Sequence, residues 1–190
     1  MTKDFAPSLK VGDEVVTLAT GSYIEDKEPV INGLRVLESW GLICRPHFVF
    51  EQNWGYLAGE DSIRLNNLQP RQPAPLLACA KGGWGSARLL EYRQKWRNGW
   101  LLGFSDVTAL LWARLSAGFD GNIHGPLLST LAKEPDWSKS RLKSILFGGK
   151  VPDLKGEPWA KGGASGPLLV ANLTVATHLL GTEYLPEIQG

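Results

Sequence analysis

The sequence predicts an α/β fold: a mostly parallel, flavodoxin/Rossmann-like sheet with helices on both faces, followed by the start of a second, incomplete domain. Three observations carry this reading. Short β-branched or apolar runs alternate with segments of helical period over most of the chain. The connections between them are short. After about Phe147 the texture changes abruptly to Gly, Pro and Lys. Such alternation means right-handed βαβ crossovers, and hence parallel strands covered on both faces.

The elements follow in order. "VVTLAT" (15–20) reads as a buried strand, β-branched and ended by Gly21-Ser22. From Glu28 the period becomes helical, with Val30, Leu34 and Leu37 at i, i+4 and i+7 and a stop near Gly41. "LICRPHFVF" (42–50) is a second strand, at an edge or ending early because of Pro46. "EDSIRLNNLQ" (60–69) is a short helix, and "PLLACA" (75–80) a third strand. A helix carrying Leu89, Leu90 and Tyr92 is expected after Ser86, running to Asn98-Gly99. "WLLGF" (100–104) is a fourth strand, "DVTALLWARLSAGF" (106–119) a helix, and "GNIHG" (121–125) a short fifth strand. The expected domains are an α/β unit over 1–147, a linker over 148–167 and the beginning of a truncated C-terminal domain over 168–190. That last stretch opens with an apolar helical run to Leu180, stopped at Gly181.

Composition narrows the function classes. The 190 residues are 43% hydrophobic and 21% charged, with a net charge of +1, an ordinary globular balance. No basic stripe is visible, so no nucleic-acid partner is expected. No apolar stretch reaches the length of a membrane span, and the first residues lack the apolar core of a secretory signal, so a cytoplasmic protein without a membrane partner is expected. Cys44 and Cys79 lie in strand-like runs and read as buried free thiols. Two cysteines and three scattered histidines offer no metal-ligand spacing.

In a parallel α/β sheet, ligands bind beyond the carboxyl ends of the strands. The loops there carry Gly21-Ser22, Lys81 to Ser86, Ser105-Asp106 and His124-Gly125-Pro126. The loop "KGGWGS" could cradle a phosphate, but no lysine follows its last glycine. It is no dinucleotide fingerprint either, because Gly83-Trp84-Gly85-Ser86-Ala87-Arg88 ends in arginine. No cofactor is therefore expected. Ser86 is left with two readings: an N-cap for the following helix, or a nucleophile at a sharp strand-to-helix turn beside oxyanion-binding N–H groups. Ser105-Asp106 has a similar duality, helix capping or support of the neighbouring site. His124 reads as a structural hydrogen-bonder. Neither His47 nor His178 has an evident acidic partner, and Trp84 is placed to line a pocket.

Several segments together resemble one family, the serine L,D-carboxypeptidases, which include muropeptide tetrapeptide carboxypeptidases and the related microcin C self-immunity proteins. "LKVGDEVVTLAT", "YLAGEDSIRLNNL", "KGGWGSARLL", "LLGFSDVTALL", "HGPLLSTL" and "ANLTVATHLLGTEYLP" match in order and spacing. Lys81 and Trp84 stand where that family usually has arginine and tyrosine, and the paired glycines that usually precede Asn172 are missing. The resemblance implies a two-domain cytoplasmic hydrolase that releases a terminal D-alanine from a muropeptide across an L,D peptide bond. It implies Ser86 as nucleophile, the Ala87 N–H and then a loop N–H such as Gly83 as oxyanion donors, and Ser105 and Asp106 as supports. The family's glutamate and histidine are expected beyond "EIQG", so the chain is expected to be inactive alone. A truncated second domain would leave apolar surface that favours self-association, a homodimer being one form open to it. The rival readings are a non-catalytic module binding a peptide or nucleotide-like ligand, including microcin C-type peptidyl-nucleotides, and a flavodoxin-type cofactor domain.

Overall fold

The computed structural model describes residues 6–45, 48–70 and 74–187. Five parallel strands form one sheet in the order β2-β1-β3-β4-β5. They are β1 (Glu14–Leu18), β2 (Ile43–Cys44), β3 (Leu76–Cys79), β4 (Trp100–Gly103) and β5 (Asn122–His124). Val15 lies opposite Leu76, Leu76 opposite Trp100, and Leu101 opposite Asn122.

Strand alternation sorts the side chains onto two faces. Val15, Leu76, Ala78, Leu102 and Ile123 join one buried cluster, while Leu18, Cys79 and Leu101 join the other. The first face is covered by α1 (Glu28–Ser39), through Val30, Leu34 and Leu37, and by α5 (Asp136–Leu146), through Leu142 and Leu146. Between them sits the single turn α4 (Leu128–Leu131). The second face is covered by α2 (Asp61–Leu68), α3 (Thr108–Ser116) and α6 (Leu173–His178). Leu111, Ala113 and Trp112 are all buried on α3, so this helix is enclosed on most sides.

Two expectations need correction. The second strand is only Ile43–Cys44, and a 3₁₀ turn (Phe48–Phe50) follows it; Pro46 and His47 lie outside the described residues. The helix expected after Ser86 is a five-residue 3₁₀ segment, Ala87–Glu91. It ends where Tyr92 turns extended (φ −102°, ψ 149°) with its N–H on the Leu89 carbonyl, and the Gln94 amide Nε2 also donates to that carbonyl and to that of Tyr92. Two helices, α4 and α5, were not foreseen. The signal for α5 was Pro135 at its N-cap, followed by Leu142 and Leu146 four residues apart.

Residues 148–167 contain no regular element and are exposed throughout. Asn172 then caps α6, its side chain accepting the Val175 N–H at 3.2 Å. Ala176 and Leu179 pack against the second face, and the Trp112 indole donates to the Val170 carbonyl at 3.1 Å. Trp159, Leu168, Leu173 and Leu180 stay exposed.

Candidate active site

The strand order 2-1-3-4-5 reverses direction between β1 and β3. Chains leaving these two neighbours diverge, and the crevice between them is where this architecture holds ligands. Two small-residue loops meet there, Thr20 to Ser22 after β1 and Lys81 to Ser86 after β3. They are knitted together: the Ser22 N–H donates to the Gly82 carbonyl at 3.0 Å, and the Trp84 N–H to Ser22 Oγ at 3.2 Å. The second loop turns through left-handed backbone at Gly83 (φ 94°) and Gly85 (φ 120°). A Cβ at Gly83 would overlap Ser22 Oγ, and one at Gly85 would overlap Leu57 and lie 2.9 Å from Arg64 Nη1. Glycine is required here by conformation and by space together.

Ser86 ends this loop with helical backbone, φ −63° and ψ −39°, and its side chain caps nothing. Its hydroxyl lies 2.9 Å from Thr20 Oγ1 instead, and the residue is fully buried. The hydroxyl is thus held inside the crevice rather than offered to solvent. The Ser86 N–H donates to Asp106 Oδ2 at 2.9 Å. Asp106 does not cap a helix either, although it opens the turn into α3. Burial pushes its carboxyl above the ordinary carboxylate range, and hydrogen bonds from Ser86 pull the other way. Ser105, just before it, is a non-glycine residue at φ 62°. That geometry costs about 1 kcal/mol or more and persists only where surroundings impose it.

Ala87 is exposed and opens the 3₁₀ turn; Gly83 is exposed at the loop's tip. Among the described residues, neither donates its backbone N–H to another group. Trp84 is 60% exposed beside them, and the Lys81 ammonium turns back to the Tyr23 carbonyl at 3.2 Å.

Three contributors escaped the sequence reading. Thr20 supplies the hydroxyl that meets Ser86. Arg64, fully buried on α2, donates from Nη1 to the carbonyls of Thr20 and of Gly85 (2.9 Å for the latter), and from Nη2 to Asp61. Arg88 joins the same carboxylate with Nε and Nη2 at 3.2 and 2.8 Å. The Arg88 guanidinium, helped by Arg64, holds the Asp61 carboxyl below its ordinary range despite burial. The available signal was the pairing of Asp61 and Arg64 one helical turn apart.

Among the described residues, neither His124 nor His178 hydrogen-bonds Ser86. His124 is the last residue of β5, where burial lowers its pKa and favours the neutral ring. The Thr108 hydroxyl accepts the Asn172 N–H at 3.0 Å and lies 3.4 Å from His124 Nε2. His178 is exposed on α6, and His47 lies outside the described residues. Both cysteines are free; Cys79 is fully buried, and burial pushes its thiol up to about 12. Among the described residues no acidic, histidine and cysteine side chains gather as a metal site, and no helix is long and apolar enough to cross a membrane.

Comparison with known proteins adds to this geometry. The family model of the LD-carboxypeptidase N-terminal domain (peptidase family S66) matches residues 14–125. A Synechocystis sp. protein that carries the name carboxypeptidase slr1534 is 39% identical over 188 residues, covering 95% of this chain and 62% of its own length. Among solved structures, the microcin C7 self-immunity protein MccF superposes with TM-score 0.78 at 19% identity, over 97% of this chain and 68% of that one. A muramoyltetrapeptide carboxypeptidase from Oxalobacter formigenes superposes with TM-score 0.73 at 21% identity, over 93% of this chain and 63% of that one. The chain spans about three fifths of the length of the curated relatives it matches.

Proposed function

The chain belongs to the LD-carboxypeptidase family, and from that premise we propose that it carries the nucleophile-bearing portion of a serine peptidase that removes terminal D-alanine from cytoplasmic muropeptides by cleaving an L,D peptide bond. The observation that carries this is Ser86, held where β3 turns sharply at the switch point of the sheet, inside the matched region.

In this reading the Ser86 oxygen attacks the carbonyl carbon of the L,D bond, and its proton passes to a base. The tetrahedral oxyanion is taken by the N–H of Ala87, with Gly83 as second donor. The C–N bond then breaks, D-alanine leaves with the proton, and water hydrolyses the acyl-serine ester. Asp106, with Ser105 before it, holds the Ser86 N–H, so the nucleophile's backbone stays fixed while its side chain rotates away from Thr20. A serine hydroxyl at its free pKa is a poor nucleophile and needs a positioned base. Among the described residues neither His124 nor His178 hydrogen-bonds Ser86, and on the family resemblance we place the base and its carboxylate partner beyond residue 190, so the 190 residues alone are expected to be inactive.

One observation favours a second reading. A hydroxyl fully buried against Thr20, without a base, suits a non-catalytic module that binds a peptide or nucleotide-like ligand over the exposed Trp84. D-alanine release from a muramoyl tetrapeptide separates the two. The protein at its full encoded length releases D-alanine, whereas its Ser86→Ala variant and the isolated 190 residues do not. Release that survives Ser86→Ala overturns the serine reading.

A further inference from the structure

Among the described residues, Arg64 is the largest fully buried side chain, and it is charged. Buried ion pairs are poor sources of stability, because desolvation offsets the attraction. Arg64 also keeps its Nε buried with no partner among the described residues, which adds to the cost. What this arginine achieves is therefore to be sought in where its donors point. Nη1 reaches two carbonyls from two different loops, Thr20 after β1 and Gly85 after β3. These are the residue whose hydroxyl meets Ser86 and the residue immediately before Ser86. Nη2 is anchored on Asp61, which Arg88, two residues after Ser86, also grips. The planar fork thus fixes the loop on both sides of the serine from one rigid helix.

We propose that Arg64 is a positioning residue for the serine: its guanidinium, anchored on Asp61, clamps the Thr20 and Gly85 carbonyls and so locks the loop that presents Ser86. Lysine cannot replace it. An ammonium carries the charge but lacks the rigid fork that serves the carboxylate and both carbonyls together. Leu57 and the guanidinium pack where a Gly85 side chain would stand, so the clamp and the left-handed turn at Gly85 are mutually dependent.

This inference rests on Ser86 being the nucleophile, but its test reads geometry rather than turnover, so the two can fail separately. The probe is iodoacetamide on the Ser86→Cys chain, with the rate at each cysteine measured by peptide mass mapping. Cys79, fully buried in β3, is the internal reporter of global opening. Arg114→Lys is the control, since Arg114 is a buried arginine on α3 that bonds loops at the opposite end of the sheet. Adding Arg64→Lys is expected to raise alkylation at position 86 about tenfold or more, with Cys79 changed less than about twofold, as expected for a local opening. Adding Arg114→Lys is expected to leave the ratio of the two rates unchanged.

Equal acceleration at both cysteines after Arg64→Lys overturns the clamp, because it reports a fold-wide role. No acceleration at either overturns it as well. A variant that does not fold exposes both cysteines alike and counts in the same way. Asp61→Asn gives an independent check: it keeps the side chain's shape, removes the anchoring charge, and is expected to raise the position-86 rate selectively by a smaller factor. An unchanged ratio there overturns the anchoring role of Asp61.

Discussion

Two buried arginines stand at opposite ends of the same sheet, and they use the same chemistry for different ends. Arg114, on α3, donates to the carbonyls of Arg97 and Gly99 before β4, and to the Asp120 carbonyl and Asn122 Oδ1 at the start of β5. Among the described residues no carboxylate accepts a hydrogen bond from it, and burial pushes its pKa down to about 10. Arg64 instead binds loops leaving β1 and β3, has a carboxylate partner, and bonds the carbonyls of Thr20, whose hydroxyl meets Ser86, and of Gly85, which precedes it. At the amino end, the arginine closes turns that have no reactive group. At the carboxyl end, where neighbouring strands send their chains apart, it stiffens a crevice. Both arginines are buried and both bond carbonyls of more than one loop, so neither trait separates a structural arginine from a positioning one; the identity of the acceptors' neighbours does.

The comparison predicts effects that differ by end. Ser86→Ala in the full-length protein is expected to lower kcat by about 10⁴-fold or more, with the melting temperature little changed. An intact kcat would remove the functional distinction between the two ends altogether. Arg114→Met leaves several carbonyls unpaired and is expected to cost about 3 kcal/mol of unfolding free energy in urea, with no selective opening at position 86. Gly85→Ala strains a left-handed residue and pushes Leu57 and Arg64 apart. It is expected to cost about 2 kcal/mol and, unlike Arg114→Met, to loosen residue 86 ahead of Cys79.

The smallest effect is on the acid limb. The Asp61 carboxyl is depressed by Arg88 and then by Arg64. A depressed carboxyl contributes stability above its unfolded value, about 4. That contribution is lost as pH falls through the lower folded value. Asp61→Asn is therefore expected to lower the melting temperature at neutral pH and to flatten its fall below about pH 4. Arg114→Met leaves that acid limb as steep as before. Equal slopes for wild type and Asp61→Asn would show that the carboxylate is not held by its arginines.

How much could be read beforehand follows the same division. Val15 to Thr20, Val30-Leu34-Leu37 and Trp100 to Phe104 announced their elements, because local period and burial agree there. The segment after Ser86 misled: Leu89 and Leu90 are buried in a short 3₁₀ turn, but the backbone turns extended at Tyr92 and the helix goes no further. Ser86 itself was legible from its glycine loop. Asp106 was also singled out, as a support of the neighbouring site; its particular partner was not legible, because an acceptor for the Ser86 N–H twenty residues away is set by strand pairing and not by its local sequence. Thr20 and Arg64 were hidden for a related reason. Their partners are a hydroxyl and backbone carbonyls on crossing loops, groups that any residue types could have supplied.

The most direct test of Ser86 as the nucleophile is mass mapping of the covalent adduct that a fluorophosphonate forms with the full-length protein. A single adduct on the peptide carrying Ser86, lost in Ser86→Ala together with D-alanine release, is the predicted result. An adduct on another residue, or D-alanine release that continues with Ser86 unmodified in fully treated protein, would contradict it.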